Sequence, residues 1–222
     1  EFNLIIFVFI FFVSFVFLTK AFVTFIKIRR MKNYLIKNEK KVEKVLMLAQ
    51  KVGLKNKVSI VKDTRLFAFC LGIRRPRIYI STKTVSIMTT RQLEAILFHE
   101  KYHLEHADSL TLFIGSLPQL LFPFFPILPH LLENYKIERE IKADRQAVKK
   151  LGTKPVIGVL KKLLETHSVS PVFVSSIAQT NSLDVRIKSL LNRKSDFPKI
   201  KRLDVLISAL SLGFIILAIA AP

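Results

Sequence analysis

Apolar and polar positions divide the chain into two apolar ends and a lysine-rich middle. Residues 2–19 form one uncharged apolar run, and residues 205–221 form another. About 20 consecutive apolar residues are enough for a helix to cross the hydrocarbon core of a bilayer. The pattern therefore predicts transmembrane helices at residues 1–28 and 203–222, which flank a domain of mixed polarity at residues 29–202.

The domain begins with short strand-like runs and continues with stretches of helical periodicity. Val58–Val61 and Arg77–Ser81 are rich in aliphatic and aromatic residues, and residues 66–71 form a third run of this kind between them. Residues 31–53 have the amphipathic pattern of a helix that ends near Gly53. Further short helices are predicted at residues 155–164 and 184–191. The prediction is an α+β fold, mostly helical, with a small sheet ahead of a pair of helices.

Residues 89–108 carry a strong helix signal. Thr89, followed three residues later by Gln92, forms a capping box that satisfies backbone N–H groups at a helix start. Apolar residues then recur at helical spacing: Leu93, Ile96, Leu97 and Leu104. We expect this helix to pack on the core of the domain along that face.

Two histidines on this helix have the spacing of metal ligands. His99 and His103 lie four residues apart, so both imidazoles point to the same side of the helix. Zinc binds such a pair, and Glu100 is then placed to act on a water molecule. The chain has only five histidines, so this HExxH pattern favours a zinc site over an ordinary surface helix. His167 falls in a serine-rich stretch and is interpreted as a solvated loop residue.

The third zinc ligand is expected from a second helix at residues 134–152. Glu140 and Asp144 lie four residues apart and therefore share one face of this helix. We assign Glu140 as the third ligand and Asp144 as the carboxylate that orients a ligand histidine from behind. Glu138 is the rival ligand, disfavoured because it does not lie on the face of Asp144.

An uncharged apolar stretch at residues 109–132 separates the two predicted zinc helices. It contains four prolines, Pro118, Pro123, Pro126 and Pro129. A single crossing of the membrane would place the histidines and Glu140 on opposite sides, where they cannot share one ion. Two crossings would need about 40 residues. The stretch is therefore expected to dip into the membrane and return on the same side, packed on the domain or at the interface.

The net charge of +20 lies entirely in the middle of the chain. Charged side chains sum to +1 in residues 1–28 and to −1 in residues 203–222, so residues 29–202 carry all of it. No helix-turn-helix, zinc-knuckle or aromatic RNA-binding pattern accompanies this charge, so no nucleic-acid partner is expected. An anionic inner leaflet explains a basic domain beside apolar spans better.

The positive residues also predict the topology. Lys27, Arg29, Arg30 and Lys32 follow the first apolar run, and a second basic cluster precedes the last one. Because such flanks stay in the cytoplasm, we expect a cytoplasmic domain and both termini outside the cell membrane. Cys70 is the only cysteine, which excludes an internal disulfide and is compatible with a reducing compartment.

These motifs together resemble a known family. HEKYHLEHAD at residues 99–108 and EIKAD at residues 140–144 are similar to the HExxH and ExxxD motifs of membrane-bound gluzincin metallopeptidases. FCLGIRRPRIYIS at residues 69–81 resembles the strand before the zinc helix in the antibiotic-sensing BlaR/MecR receptor type, the branch we favour. LEAILFHEKYH and the position of Asp108 are shared with the HtpX and CAAX-prenyl-protease type. The similarity covers residues 58–187.

The resemblance implies two further roles. NSLDVRI at residues 181–187 is similar to a His-Pro…Arg-Ile element of the HtpX type, but Asn181-Ser182 replaces His-Pro, so only Arg186 carries over. The resemblance implies that Arg186 stabilises the oxyanion of the reaction. It also implies that an exposed strand edge holds the substrate by backbone pairing, and Arg77–Ser81 is the strand it indicates.

The sequence is thus interpreted as a membrane-anchored zinc metalloendopeptidase that cleaves a cytoplasmic or membrane-associated protein or peptide. One Zn²⁺ per chain is expected on His99, His103 and Glu140, with Glu100 as general base for the attacking water. Asp108 is interpreted either as a cap at the end of the zinc helix, which we favour, or as a carboxylate that supports a zinc ligand. The alternative is an inactive scaffold that binds partners at the inner leaflet; loss of Glu100 or Glu140 would be its simplest signature, and both are present.

Overall fold

The computed structural model of the chain describes residues 2–72, 74–165, 180–192 and 197–220. Its helices are α1 (Phe2–Lys37), α2 (Glu43–Lys51), α3 (Thr82–Ile87), α4 (Thr90–Glu105), α5 (Asp108–Leu121), α6 (Ile127–Leu151), α7 (Thr153–Glu165), α8 (Thr180–Leu190) and α9 (Arg202–Ala220). Its strands are β1 (Glu39–Lys40), β2 (Val58–Val61), β3 (Ala68–Leu71) and β4 (Arg77–Ser81). The chain is mostly helical with a small mixed sheet, as the sequence predicted.

The four described strands form one sheet in the order β1-β2-β4-β3. β2 and β4 pair in parallel, whereas β1 pairs with β2 and β3 with β4 in antiparallel fashion. β2 and β4 begin and end where the sequence predicted, while the third predicted strand starts only at Ala68. The prediction that Arg77–Ser81 is the exposed edge is wrong, because β2 and β3 occupy both of its sides. The edges of the described sheet are β1 and β3.

The single amphipathic helix predicted at residues 31–53 is instead two helices and a strand. α1 continues through Lys37, β1 follows it, and α2 begins at Glu43. The backbone of β1 gains hydrogen bonds to β2 that a continuous helix would forgo, since Lys40 pairs with Ile60. The predicted helix end is correct, because Gly53 has a φ of +83°, a left-handed conformation that favours glycine.

α1 is long and apolar enough to cross a membrane. Its segment Phe11–Lys37 has 27 residues and a mean hydropathy of 1.9, and no residue of its apolar window is buried against the described chain. Among the described residues it is the one helix that meets this test of length and composition. The second predicted span corresponds to α9, and its crossing of a membrane stays a prediction.

α4 is held between the sheet and the other helices. The predicted capping box is present: Thr89 Oγ1 accepts a hydrogen bond from Gln92 N at 3.3 Å, and Gln92 Oε1 accepts one from Thr89 N at 2.9 Å. The predicted apolar face packs in the main core, with Leu93, Ile96 and Leu97 buried. This packing fixes the direction of the next helical turn, which carries the HExxH motif.

The apolar stretch between α4 and α6 forms a helical hairpin. α5 and the first half of α6 run antiparallel, since Gln119 Nε2 donates to Leu128 O at 3.5 Å while Asp108 contacts Arg139 further from the turn. The chain reverses within residues 122–126, where prolines interrupt the helix. Both ends of the stretch therefore lie beside α4. Its insertion into a membrane stays a prediction.

α9 contacts this hairpin through polar residues on one of its faces. The hydrogen bonds join Ser208 Oγ to Ile127 N (3.2 Å), Ser211 Oγ to Phe124 O (3.2 Å) and Asp204 Oδ2 to His130 Nε2 (2.8 Å). The first two of these bonds satisfy backbone groups at the turn of the hairpin, where the ends of helices leave N–H and C=O groups without a partner. In an apolar environment these groups would otherwise lack a partner.

Candidate metal centre

α4 and α6 bring the three predicted zinc ligands together. His99, His103 and Glu140 offer donor atoms that all lie within 4.8 Å of one another. The two histidine Nε2 atoms are 3.0 Å apart, and carboxylate oxygens of Glu140 lie 3.2 Å from His99 Nε2 and 3.4 Å from His103 Nε2. All three residues are buried. The fold thus forms a compact buried cluster of two nitrogens and a carboxylate.

The other ring nitrogen of each histidine is occupied by an aspartate. His99 Nδ1 lies 2.9 Å from Asp144 Oδ1, and His103 Nδ1 lies 2.6 Å from Asp108 Oδ2. An ionised carboxylate only accepts hydrogen bonds, so each Nδ1 carries a proton, and in the neutral form of each ring Nε2 presents its lone pair to the cluster. Two lone pairs facing each other repel unless a cation or a proton lies between them. The histidines are therefore oriented as metal ligands.

Glu140 has an ion pair but no well-aligned hydrogen bond among the described residues. Both of its carboxylate oxygens are buried and accept no hydrogen bond from the described residues, although Arg186 Nη1 forms an ion pair with one of them at 3.0 Å. Burial alone would favour the neutral acid, but the charges of Arg186 and His103 lower the pKa of Glu140 to about 2. A buried anion without donors is costly unless a cation neutralises it. Arg186 supplies one such cation, and a metal ion would add the partner that the two carboxylate oxygens still lack.

The spacing of the donors fits zinc. Bonds from zinc to nitrogen and oxygen ligands are about 2.0–2.2 Å, so two ligands of a tetrahedral ion lie about 3.3–3.6 Å apart. The three separations in the cluster are 3.0, 3.2 and 3.4 Å, close to that range. Three protein ligands leave the fourth position of such an ion open for water, which is the arrangement of catalytic zinc sites.

Arg186 lies behind the cluster rather than on an open surface. It is 1% exposed, and its Nε and Nη2 atoms donate to the two oxygens of Asp144, each at 2.7 Å. Burial opposes ionisation of Asp144, yet Arg186 and the hydrogen bond to His99 hold the pKa of that aspartate well below its usual range. Arg186 thereby fixes both the carboxylate behind His99 and the ligand Glu140. Its predicted contact with the oxyanion stays a prediction.

Glu100 is buried on α4 between the two histidines in sequence. It is 1% exposed, and burial raises the pKa of its carboxyl group, while the charges of His99 and His103 partly offset the rise. A carboxylate whose pKa is moved toward neutrality is better suited to accept a proton at physiological pH. These properties agree with the general base expected from the sequence.

The edge strand β3 runs beside Glu100. Burial raises the pKa of the Cys70 thiol on this strand to about 12, and the negative charge of Glu100 adds to the rise, so the two side chains lie within electrostatic range. Ser109 Oγ, near the start of α5, donates to Cys70 O at 3.3 Å. The edge strand β3, next to the strand the sequence indicated, therefore packs against the helix that carries the HExxH motif.

Of the two roles considered for Asp108, the structure places it behind a ligand histidine rather than at the cap of α4. α4 ends at Glu105, and Ala107 adopts a left-handed conformation with a φ of +50°, so the chain turns sharply before α5 begins. Asp108 then lies under α4, 2% exposed, with its carboxylate bonded to His103 and to Arg139. The turn at Ala107 is the reason that Asp108 orients a histidine instead of capping a helix.

The residues around Glu140 separate into buried and exposed positions. Glu138, the rival ligand, is exposed and pairs with Lys142 at 2.6 Å, outside the donor cluster. Arg139 was not indicated by the sequence; its guanidinium donates to Asp108 and lies 4.9 Å from the centre of the Tyr102 ring. No pattern in the sequence distinguishes Arg139 from the other basic residues of α6, because its partner is 31 positions away.

The other described histidines lie outside the cluster. His106 bonds Tyr102 O at 2.8 Å and stacks on the ring of that residue. His130 pairs with Asp204 on α9. His167 lies outside the described residues. Within the described ranges, only His99 and His103 face a common carboxylate.

Comparison with known proteins agrees with the resemblance seen in the sequence. The chain is 26% identical over 151 residues to Regulatory protein BlaR1 of Bacillus licheniformis, an alignment that covers 65% of this chain and 25% of that protein. It is 28% identical over 113 residues to a Protease HtpX homolog of Janthinobacterium sp. (strain Marseille), which covers 50% of this chain and 38% of that one. The chain thus spans between a quarter and two fifths of the length of these relatives.

A family model is matched over most of the chain. The match to the family described as BlaR1 peptidase M56 extends over residues 2–190, which includes α4, α6 and Arg186. The BlaR/MecR-type resemblance expected from the sequence is confirmed. The chain belongs to the BlaR1 peptidase M56 family of metallopeptidases.

Proposed function

We propose that the chain is a membrane-anchored, zinc-dependent endopeptidase that cleaves a cytoplasmic or membrane-associated protein. The observation that carries this proposal is the buried cluster of His99, His103 and Glu140, whose donor atoms all lie within 4.8 Å of one another. Membership of a metallopeptidase family supports the reaction class. The apolar helix α1 supports attachment to a membrane.

The donor set favours zinc over other metals. Two imidazoles and one carboxylate form a common ligand set of catalytic zinc, whereas magnesium and calcium prefer oxygen ligands alone. His99, His103 and Glu140 would hold one ion per chain. A zinc ion bound there supplies a Lewis acid that polarises the scissile carbonyl and acidifies a water molecule.

Glu100 carries the proton transfers in this proposal. Its carboxylate accepts a proton from the attacking water and delivers it to the nitrogen of the leaving amine. Burial favours this cycle, because a carboxylate of raised pKa holds the proton long enough to pass it on. Glu100 is not a ligand in this arrangement, so its removal leaves the ligand set intact.

The two aspartates and Arg186 keep the ligands in place. Asp144 and Asp108 accept the Nδ1 protons of His99 and His103, which fixes both rings with Nε2 toward the ion. The Nε and Nη2 atoms of Arg186 donate to Asp144, and its Nη1 atom lies 3.0 Å from Glu140. We infer that the main role of Arg186 is to balance the charges of these two buried carboxylates. To stabilise the oxyanion as well, Arg186 would have to contact it while keeping both ion pairs.

The edge strand β3 is the proposed site for the substrate backbone. Ser81 N donates to Phe67 O at 3.0 Å, so in the alternating pattern of antiparallel pairing Phe69 also faces β4. Ala68 and Cys70 then direct their backbone groups away from β4; both residues are buried and Cys70 O accepts from Ser109 Oγ, so a peptide that pairs there must displace Ser109. An extended peptide that pairs there passes along the strand that borders Glu100, without any need for a particular sequence.

The arrangement in the membrane is part of the same proposal. Residues 1–28 and 203–222 cross the bilayer, residues 29–202 face the cytoplasm and the anionic leaflet, and residues 109–132 enter the membrane without crossing it. Both termini then lie outside. The hairpin of α5 and α6 supports this arrangement, because it returns the chain to the same side of the domain.

Cleavage of a denatured protein such as casein tests the proposal. The purified, zinc-loaded chain should cleave it, and Glu100→Gln should retain its zinc while losing cleavage by about 10²- to 10⁴-fold, because the ligands remain and the base is gone. Cleavage by this variant at the wild-type rate would contradict the role of Glu100. If the zinc-loaded wild type binds casein but cleaves nothing, the alternative of an inactive scaffold at the inner leaflet takes its place.

A further inference from the structure

We propose that Arg139 is a positioning residue for the metal centre: acting through Asp108, it fixes the ring of His103 and thereby sets the affinity of the site for zinc. The inference rests on the proposed function, because it takes zinc as the ion that His103 binds. Neither the HExxH motif nor the later ExxxD motif includes Arg139. The contacts of Asp108 lead to it.

Asp108 uses its two oxygens for two different partners. Oδ2 lies 2.6 Å from His103 Nδ1, and Oδ1 accepts a hydrogen bond from Arg139 Nη2. A carboxylate bonded only to the imidazole would be free to rotate about its side-chain torsions, and the ring would turn with it. Because Arg139 holds the second oxygen, the plane of the carboxylate and the direction of His103 Nε2 are both fixed.

Arg139 is itself held in one position. Its side chain is 14% exposed, and the guanidinium lies 4.9 Å from the centre of the ring of Tyr102, the residue before His103 on α4. Burial disfavours its charge, but the hydrogen bond and the charge of Asp108 raise the pKa of Arg139 above its ordinary value. A charged group held by an aromatic face and an ion pair is a support rather than a solvated surface residue.

The two ligand histidines have matching supports. His99 contacts Asp144, which in turn contacts Arg186. His103 contacts Asp108, which in turn contacts Arg139. In each of these two series of contacts, an arginine fixes an aspartate, and the aspartate fixes an imidazole. The two differ in burial, since the Arg186 side chain is 1% exposed and that of Arg139 is 14% exposed.

The contacts from Arg139 through Asp108 to His103 also join the hairpin of α5 and α6 to the metal centre. Asp108 is the first residue of α5, and Arg139 lies on α6 directly before the ligand Glu140. One turn of α6 therefore supplies a ligand and supports another, while the base of the hairpin supplies the aspartate between them. Correct closure of the hairpin on α6 is then a condition for the correct orientation of His103.

A double-mutant cycle on zinc affinity tests the inference. The full-length chain, purified in detergent, is titrated with zinc against a chelator of known affinity, for wild type, Arg139→Met, Asp108→Asn and the double variant. Asp108→Asn should weaken zinc binding on the order of 10- to 100-fold, and Arg139→Met by about tenfold. Because Arg139 acts through Asp108, the double variant should lose no more than Asp108→Asn alone.

Two matched variants separate a positioning role from a general effect on the fold. Arg145→Met removes an exposed arginine from the same helix and should leave zinc affinity unchanged. Arg139→Lys keeps the charge and should restore most of the affinity lost in Arg139→Met. At saturating zinc, the KM of Arg139→Met for a peptide substrate should equal that of wild type, because Arg139 does not touch the substrate.

Two results would overturn the inference. One is a wild-type zinc affinity in Arg139→Met, and the other is a double variant that loses the product of the two single losses. If Arg139→Met does not fold, Arg139→Gln takes its place in the cycle with the same expected result. Failure of the proposed function is distinguishable, since it appears as a wild-type chain that binds zinc without cleaving protein, and the affinity cycle decides the role of Arg139 in either case.

Discussion

Replacing Arg186 with methionine removes the counter-charge of two buried carboxylates. Methionine has a similar length and no charge, so Asp144 and Glu140 lose a partner that donates at 2.7 Å to the first and lies 3.0 Å from the second. Breaking a buried ion pair by removing one partner costs about 3–5 kcal/mol. For a chain of this size that corresponds to a fall in melting temperature of about 6–20 °C.

The buried thiol of Cys70 provides the assay. It is the only cysteine of the chain and it is buried, so a thiol-reactive fluorescent dye reports unfolding as the chain is heated in detergent. Zinc should reduce the loss, because the ion adds positive charge beside Glu140 in place of the missing guanidinium. Arg145→Met, on the exposed side of α6, is the matched control and should shift the midpoint by no more than about 2 °C.

The expected pattern is a large fall in the metal-free form, a smaller one with zinc, and almost none in the control. A metal-free Arg186→Met that melts within about 2 °C of wild type would refute the reasoning. Arg186 would then not be holding the two carboxylates, and its contact with the reaction oxyanion would become its main role.

Three further predictions concern other parts of the chain. Asp144→Asn should weaken zinc binding on the order of 10- to 100-fold, measured by competition with a chelator, because the amide orients His99 less strongly. Cysteines at positions 105 and 136, in a Cys70→Ser background, should both be protected in intact cells from a thiol reagent that cannot cross the membrane, and both should react once the inner face is opened. Burial raises the pKa of Asp63, but hydrogen bonds from Arg65 and Tyr34 outweigh it and lower that pKa from the usual 3.8. The ionised Asp63 should therefore make wild type more stable than Asp63→Asn above pH 3.8. This difference should disappear as the pH falls below that value.

Each of these has a contrary outcome. An Asp144→Asn chain with wild-type zinc affinity would remove the role of that carboxylate in orienting His99. Opposite labelling at positions 105 and 136 would mean that residues 109–132 span the membrane, and a shared zinc site would then be impossible. A difference in unfolding midpoint between wild type and Asp63→Asn that stays constant from pH 7 to pH 3 would exclude the ionised form of Asp63 as the source of its effect.

Local signals in the sequence account for the parts that were predicted well. The capping box at Thr89 and the apolar face behind it involve residues within two helical turns, and the helix forms where they indicate. The choice of Glu140 over Glu138 followed from the four-residue spacing to Asp144, and the fold places only Glu140 among the donors. Helical periodicity links such residues directly, so no knowledge of the tertiary fold was required.

Long-range pairing decides the parts that the sequence did not reveal. The edge of the sheet depends on β4 lying between β2 and β3, an order that residues within a strand do not specify. The support of His103 depends on a left-handed Ala107 and on an arginine far along the chain. In both cases the deciding contact joins residues that are distant in sequence, and periodicity within one element does not link them.

The metal content of three purified chains tests the central claim most directly. Wild type and Glu138→Ala should each bind one zinc per chain, whereas Glu140→Ala should lose most of it, because a three-ligand site keeps only its two imidazoles. Glu138 is the matched control, being exposed on the same helix two residues away. Equal zinc in wild type and Glu140→Ala would contradict the assignment of the metal centre.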